Sequence, residues 1–99
     1  MSIREQIADK LIAAGGFWSY DEKSVRQNVS DEQLIEATLE KLDLDDIDLL
    51  FQLFPAKKIK EVWQRTMVVQ GDYYHSLNRF YAWYYFDIRY PDRYLKAMM

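Results

Sequence analysis

Apolar residues recur at three- and four-residue spacing along most of the chain, and each such stretch has a readable start or stop. Ile3, Ile7, Leu11 and Ala14 form the first stripe. Ser2 precedes it and Glu5 follows three residues later, so the serine oxygen can accept an orphan amide hydrogen and the glutamate can return the bond. Gly15-Gly16 closes this helix, because a left-handed C-terminal residue costs glycine little. Phe17-Trp18-Ser19-Tyr20-Asp21 reads as a loop anchored on the core by Phe17 and Trp18. Ser30 with Gln33 repeats the capping signature, and Asp31 and Glu32 suit the positive end of the helix dipole. Leu34, Ile35, Leu39 and Leu42 are the second apolar stripe. Asp43 is placed to cap a third helix that buries Ile47, Leu50, Phe51 and Phe54. Pro55 fits the first turn of a fourth, where its missing amide hydrogen does no harm, and Ile59, Val62, Trp63 and Met67 line that helix. Gly71-Asp72 breaks the chain and caps a fifth helix from about Tyr73 to Ile88. Pro91 opens a short last helix through Leu95.

No segment alternates as a strand must. Val68-Val69 is too short, and Tyr84-Tyr85-Phe86 sits inside a helical period. There is no internal repeat, low-complexity tract or dividing linker. The pattern predicts an all-α fold, a compact single-domain bundle of five to six short helices over residues 1–99, with the fifth at or near its centre. The chain's 99 residues, 49% of them hydrophobic, suffice for a core without metal or disulfide staples.

Composition narrows the chemistry. The absence of cysteine excludes disulfides, thiolate catalysis, iron–sulfur ligation and the usual structural zinc sites. One histidine excludes His-pair metal motifs, and three glycines leave no phosphate-cradling loop. No cofactor and no metal are expected. The first fourteen residues carry Arg4, Glu5, Asp9 and Lys10, which marks an amphipathic helix rather than a signal peptide. No 18-residue apolar run exists, so no membrane span is expected and the expected location is cytoplasmic. Charge is uneven: residues 1–54 hold five Lys/Arg and twelve Asp/Glu, a net of −7, whereas residues 55–99 hold eight and four, a net of +4. Such a split marks either separate binding faces or halves that attract one another.

Three constellations bear on function. Asp43-Leu44-Asp45-Asp46-Ile47-Asp48 resembles a calcium loop only superficially. An EF-hand needs glycine at its sixth position and glutamate at its twelfth, and Asp48 and Phe54 stand there. Helix capping accounts for these carboxylates better. Elsewhere the acids fall on charged helical faces, with none embedded in an apolar stretch that raises its pKa. Ser76 adjoins His75 but points about 100° away on a helix, and Ser19, Ser24 and Ser30 lack a nucleophile-elbow setting. The expectation is that the protein is not an enzyme. Lys57, Lys58, Lys60 and Arg65 lie along the fourth helix, and helices two to four have lengths that suit a helix-turn-helix-like nucleic-acid-binding domain. Lysines at a helix N-terminus oppose the dipole, however, and the chain is acidic overall, with a net charge of −3. Nucleic-acid binding is therefore the alternative reading.

Residues 73–94 are the third. Ten of these twenty-two are aromatic. A helical wheel puts Tyr73, Leu77, Phe80, Tyr81, Tyr84 and Ile88 on one face, expected to be the core face. Roughly opposite lie His75, Arg79, Ala82, Trp83 and Phe86, with Arg79 and Trp83 at cation–π spacing. Either the helix buries both stripes, with Arg79 paired to an acid of the N-terminal half, or the second stripe is an exposed surface for a partner or for self-association. Trp, Tyr and Arg are the residue types enriched in interface hot spots. The partner-binding candidates are Arg79, Trp83 and Phe86, with Trp18 as a loop-borne second anchor. An aromatic helix also suggests single-strand stacking, but such platforms combine aromatics with abundant cations, and Arg79 alone is thin support.

The order of features has a further meaning. Phe17-Trp18-Ser19-Tyr20-Asp21 is followed by the acidic helix Asp31 to Leu42, by Phe54-Pro55 with Lys60-Glu61-Val62-Trp63, by Leu77-Asn78-Arg79-Phe80 and by Pro91-Asp92-Arg93-Tyr94-Leu95. This resembles a group of small, all-helical bacterial proteins, a domain of unknown function, encoded beside AbiE-type nucleotidyltransferase toxins. The resemblance spans Phe17 to Leu95. It implies a cytoplasmic bacterial protein with a protein partner and an antitoxin-like role, and it supplies no catalytic or binding residues. Antitoxins that also repress transcription commonly carry a winged-helix domain, and no β-wing is legible here.

Overall fold

The computed structural model describes residues 2–15 and 29–98, Asp72 by its backbone alone. The elements in order are α1 (Ile3–Ala13), α2 (Asp31–Lys41), α3 (Leu44–Leu53), α4 (Ala56–Thr66), a 3-10 segment (Val68–Tyr74), α5 (His75–Tyr84) and α6 (Pro91–Met98). The fold is all-α, a bundle of short helices, with no strand among the described residues. The expected loop of Phe17, Trp18 and Tyr20 lies outside the described residues. The chain divides into two compact units, residues 1–55 and 56–99. The reversal of net charge between residues 54 and 55 falls at this boundary.

In the first unit α1, α2 and α3 each pack on the other two. Their starts follow the capping signals. Ser2 Oγ accepts from the Glu5 amide at 3.1 Å. Ser30 Oγ accepts from Gln33 N at 3.1 Å while Gln33 Oε1 accepts from Ser30 N at 2.9 Å, a complete capping box. Gly15 stops α1 with φ +77°, a region glycine enters without steric cost. Ile7, Leu11, Leu34, Ile35, Ile47 and Leu50 have no exposed surface. Thr38, equally buried, donates its hydroxyl hydrogen to the Leu34 carbonyl at 2.7 Å. Arg4 ties the start of α1 to that of α2, donating to Asp31 Oδ1 at 2.7 Å and to the Val29 carbonyl at 2.6 Å.

Two acids of this unit depart from the expected solvated faces. Asp46 is buried, 5% exposed. Its carboxylate accepts from the Asp43 amide at 3.4 Å and from the Lys10 ammonium, so it caps α3 and pairs with α1 at once. A carboxylate with a charged partner and a backbone donor is tolerated inside; an isolated one is not. The bond and the charge of Asp46 raise the Lys10 pKa above 10.5. On the Lys10 side the contribution of this pair is therefore fully present at neutral pH and is lost as pH rises through that raised value.

The second acid is Glu36, one helical turn from both Glu32 and Glu40 on α2. Desolvation first, then the charge and hydrogen bond of Glu40 and the charge of Glu32, raise its pKa above 4.5. The fold thus disfavours ionised Glu36. The penalty is present at neutral pH and disappears as pH falls through the raised value to below that of the unfolded chain. Glu36→Gln is expected to stabilise the protein at pH 7 by about 0.2–0.5 kcal/mol, the scale of a like-charge pair on a helix. Chemical denaturation should show this gain at pH 7 and lose it well below pH 4.5.

The second unit is built on α4. Ile59, Val62, Trp63 and Met67 are all buried, as their spacing predicts, and Pro55 sits one residue before the helix. Trp63 is the hub. It has no exposed surface, donates its indole hydrogen to Asn78 Oδ1 at 3.0 Å, and meets Phe86 and Tyr94 at ring-centroid distances of 4.8 and 6.2 Å. Asn78 in turn donates to the Met67 carbonyl at 3.2 Å. Gln64 bonds to the Tyr94 hydroxyl, and Lys60 lies 5.8 Å from the centre of the Tyr94 ring.

The fifth helix differs from expectation in both length and phase. It begins at His75, because residues 68–74 run in 3-10 turns with a kink at Gly71, φ 59° and ψ −120°. It ends at Tyr84, and Asp87 then takes a left-handed φ of 52°, which stops the helix before Ile88. The expected cap at Asp72 is replaced by Tyr74 in the N-cap position. The final helix extends past Leu95 to Met98.

Candidate functional site

The buried face of α5 is Asn78, Tyr81 and Ala82. Of the expected core face Tyr81 is buried, 3% exposed, but its neighbours turn outward. Hydrophobicity points Tyr73, Leu77, Phe80 and Tyr84 inward, yet Tyr73 is 79% exposed, Tyr84 51% and Leu77 37%, with Phe80 half-buried. The reason lies in α4. A buried indole N–H requires an acceptor, and Asn78 supplies it while satisfying the Met67 carbonyl. That inward asparagine sets the rotation of α5, and Ala82, one turn on, follows it inside. Ala82, expected on the far stripe, is therefore core. Burial pushes the Tyr81 phenol up to about 12, so this hydroxyl stays neutral.

The outward arc of α5 carries Leu77, Phe80, Trp83 and Tyr84. Trp83 is 61% exposed. Phe80 and Tyr84 stack on each other with centroids 5.1 Å apart and planes within 12°, and Trp83 lies 6.3 Å from Tyr84. Exposed apolar side chains are informative where they adjoin, as these four do along one helix.

The four partner-binding candidates separate. Trp83 and Arg79 are exposed neighbours, one turn apart. Arg79 pairs with an acid of its own unit. Its Nε lies 2.7 Å from Asp92 Oδ1 in the first turn of α6, so its charge goes to that carboxylate instead of the indole face. Phe86 turns the other way, half-buried against Trp63. Trp18 lies outside the described residues. Sequence reasoning missed Tyr90, 59% exposed, with the guanidinium carbons of Arg89 and Arg93 at 5.8 and 5.4 Å from its ring centre. The signal was present, since arginines one before and three after a tyrosine can both reach its ring.

The basic residues of α4 are spread around its outer side, with Lys58 and Lys60 roughly 160° apart. With Ile59, Val62 and Trp63 turned inward, Lys57, Lys58, Lys60 and Arg65 occupy the remaining arc, with Glu61 among them. The helices of the expected helix-turn-helix arrangement fall in both units, α2 and α3 in the first and α4 in the second. Among the described residues no three His, Asp or Glu side chains are grouped to hold a metal ion, and no helix is long and apolar enough to cross a membrane. No family model matches this chain, and no curated protein or solved structure matches it either.

Proposed function

We propose that this chain is a non-enzymatic interaction protein that binds another protein through the outward face of α5. One observation carries the reading: Trp83 and Tyr84 stand exposed on α5 beside Leu77 and the half-buried Phe80. The resemblance to companions of AbiE-type nucleotidyltransferase toxins supports the same reading and gives it a specific form, an antitoxin-like partner of such an enzyme in the bacterial cytoplasm. The four basic residues of α4 favour a second reading, nucleic-acid binding through Lys57, Lys58, Lys60 and Arg65.

The two readings respond oppositely to salt. Each phosphate neutralised releases counterions, so nucleic-acid binding weakens steeply as salt rises. An interface centred on aromatics does not. Affinity purification of the tagged protein from its host at low salt, followed by a high-salt wash, is expected to retain one stoichiometric protein. Nucleic acid that co-purifies and leaves on the wash moves the function to α4.

A further inference from the structure

We infer that the partner segment accepted by α5 is an acidic amphipathic helix; this rests on the reading of that face as a protein-binding one. The stripe has the spacing of a helix-reading surface. Leu77, Phe80 and Tyr84 recur at i, i+3 and i+7, with Trp83 beside them, on a ten-residue helix that is about 15 Å long. A partner helix laid along it presents two to three turns, enough for anchors at i, i+4 and i+7.

The rim determines the sign of the partner. Residues 75–84 contain no acid. The Arg79–Asp92 pair places the start of α6 beside the Arg79–Trp83 edge of the stripe. There the exposed Arg89 and Arg93 are both held against Tyr90. Three guanidiniums thus face two carboxylates, Asp87 and Asp92, and Asp92 is already occupied by Arg79. Arginines pre-ordered on an aromatic ring lose little freedom when they meet a carboxylate.

The same features disfavour the other occupants. A second copy pairing this face with itself brings one cationic rim against another, with no acid on either α5. Single-stranded nucleic acid stacks on successive open ring faces. Here Phe80 and Tyr84 stack on each other, which leaves Trp83 to offer an open face on the stripe.

The test is an NMR titration of the whole, isotopically labelled chain. Three synthetic peptides share a helical Leu/Phe stripe and carry glutamate, glutamine or lysine at the flanking positions; a short oligothymidylate is the fourth probe. The glutamate peptide is expected to shift the Trp83 indole resonance and the amides of α5 and α6, and to bind at least about tenfold tighter than the lysine peptide. The double variant Arg89→Glu, Arg93→Glu should reverse that order while its other amide resonances stay in place. Equal affinity for all three peptides at Trp83 overturns the inference and leaves the protein-binding reading standing. Failure of every peptide to move Trp83 also overturns it. If the oligothymidylate alone moves Trp83, both readings fail. A concentration-dependent shift of Trp83 without any probe assigns the stripe to a second copy and likewise overturns the acidic partner.

Discussion

Trp63→Ala is expected to destabilise the second unit by about 3–5 kcal/mol, the range for deleting a large buried aromatic. Three losses combine. The indole leaves a cavity where it had no exposed surface. Phe86 and Tyr94 lose the ring they pack against from α4. Asn78 loses its donor, so a buried amide oxygen is left without its bond. A whole domain is stable by only about 5–15 kcal/mol, and this unit has 44 residues. Amide protection in α5 and α6 should therefore collapse at temperatures where the native protein retains it. Trp63→Phe separates the contributions. It keeps a ring in the stack and removes the indole hydrogen, and is expected to cost about 1–3 kcal/mol, mostly through the stranded Asn78 oxygen. Denaturation midpoints of the two variants check this. An alanine variant within 0.5 kcal/mol of native, roughly the scale of surface substitutions, contradicts the role given to Trp63.

Trp83→Ala should behave in the opposite way. Its side chain is 61% exposed and sits away from the Trp63–Asn78 bond that sets the helix. Stability should change by no more than about 0.5 kcal/mol. Partner affinity should fall by about 30-fold or more, the equivalent of a 2 kcal/mol hot spot. Arg79→Ala has a milder expected effect, because its charge is shared with Asp92 in the free protein. An unchanged denaturation midpoint with lost binding identifies an interface residue. A lowered midpoint means that Trp83 supports the fold.

Much of the fold was legible because local signals and burial agreed. Ser30 with Gln33, Gly15, and the stripe Ile59, Val62, Trp63 and Met67 each carry their meaning within one or two turns. The phase of α5 was not legible in this way. Hydrophobicity points Leu77, Phe80 and Tyr84 inward, but the deciding interaction is a polar one between α4 and α5. An asparagine fifteen residues from Trp63 does not announce that it will be buried. The kink at Gly71 adds a 3-10 segment that moves the helix start by two residues. Asp46 was missed for a related reason, since an acid among acids reads as solvated until Lys10 is brought to it from α1. At the site, the wheel left Trp83 open between a buried and an exposed stripe, and the structure exposes it. The partners of Arg79 and Phe86 depended on packing across helices and were not.

The central claim is that the outward face of α5 binds a protein and the basic residues of α4 do not carry the function. Parallel captures from the host with native protein, Trp83→Ala and the double variant Lys57→Glu, Lys58→Glu test it most directly. Glutamates at the start of α4 suit the helix dipole, so the double variant is expected to fold. The account predicts a protein partner retained by the native chain and by the α4 variant but lost by Trp83→Ala. A partner that survives Trp83→Ala and is lost with Lys57 and Lys58 contradicts it.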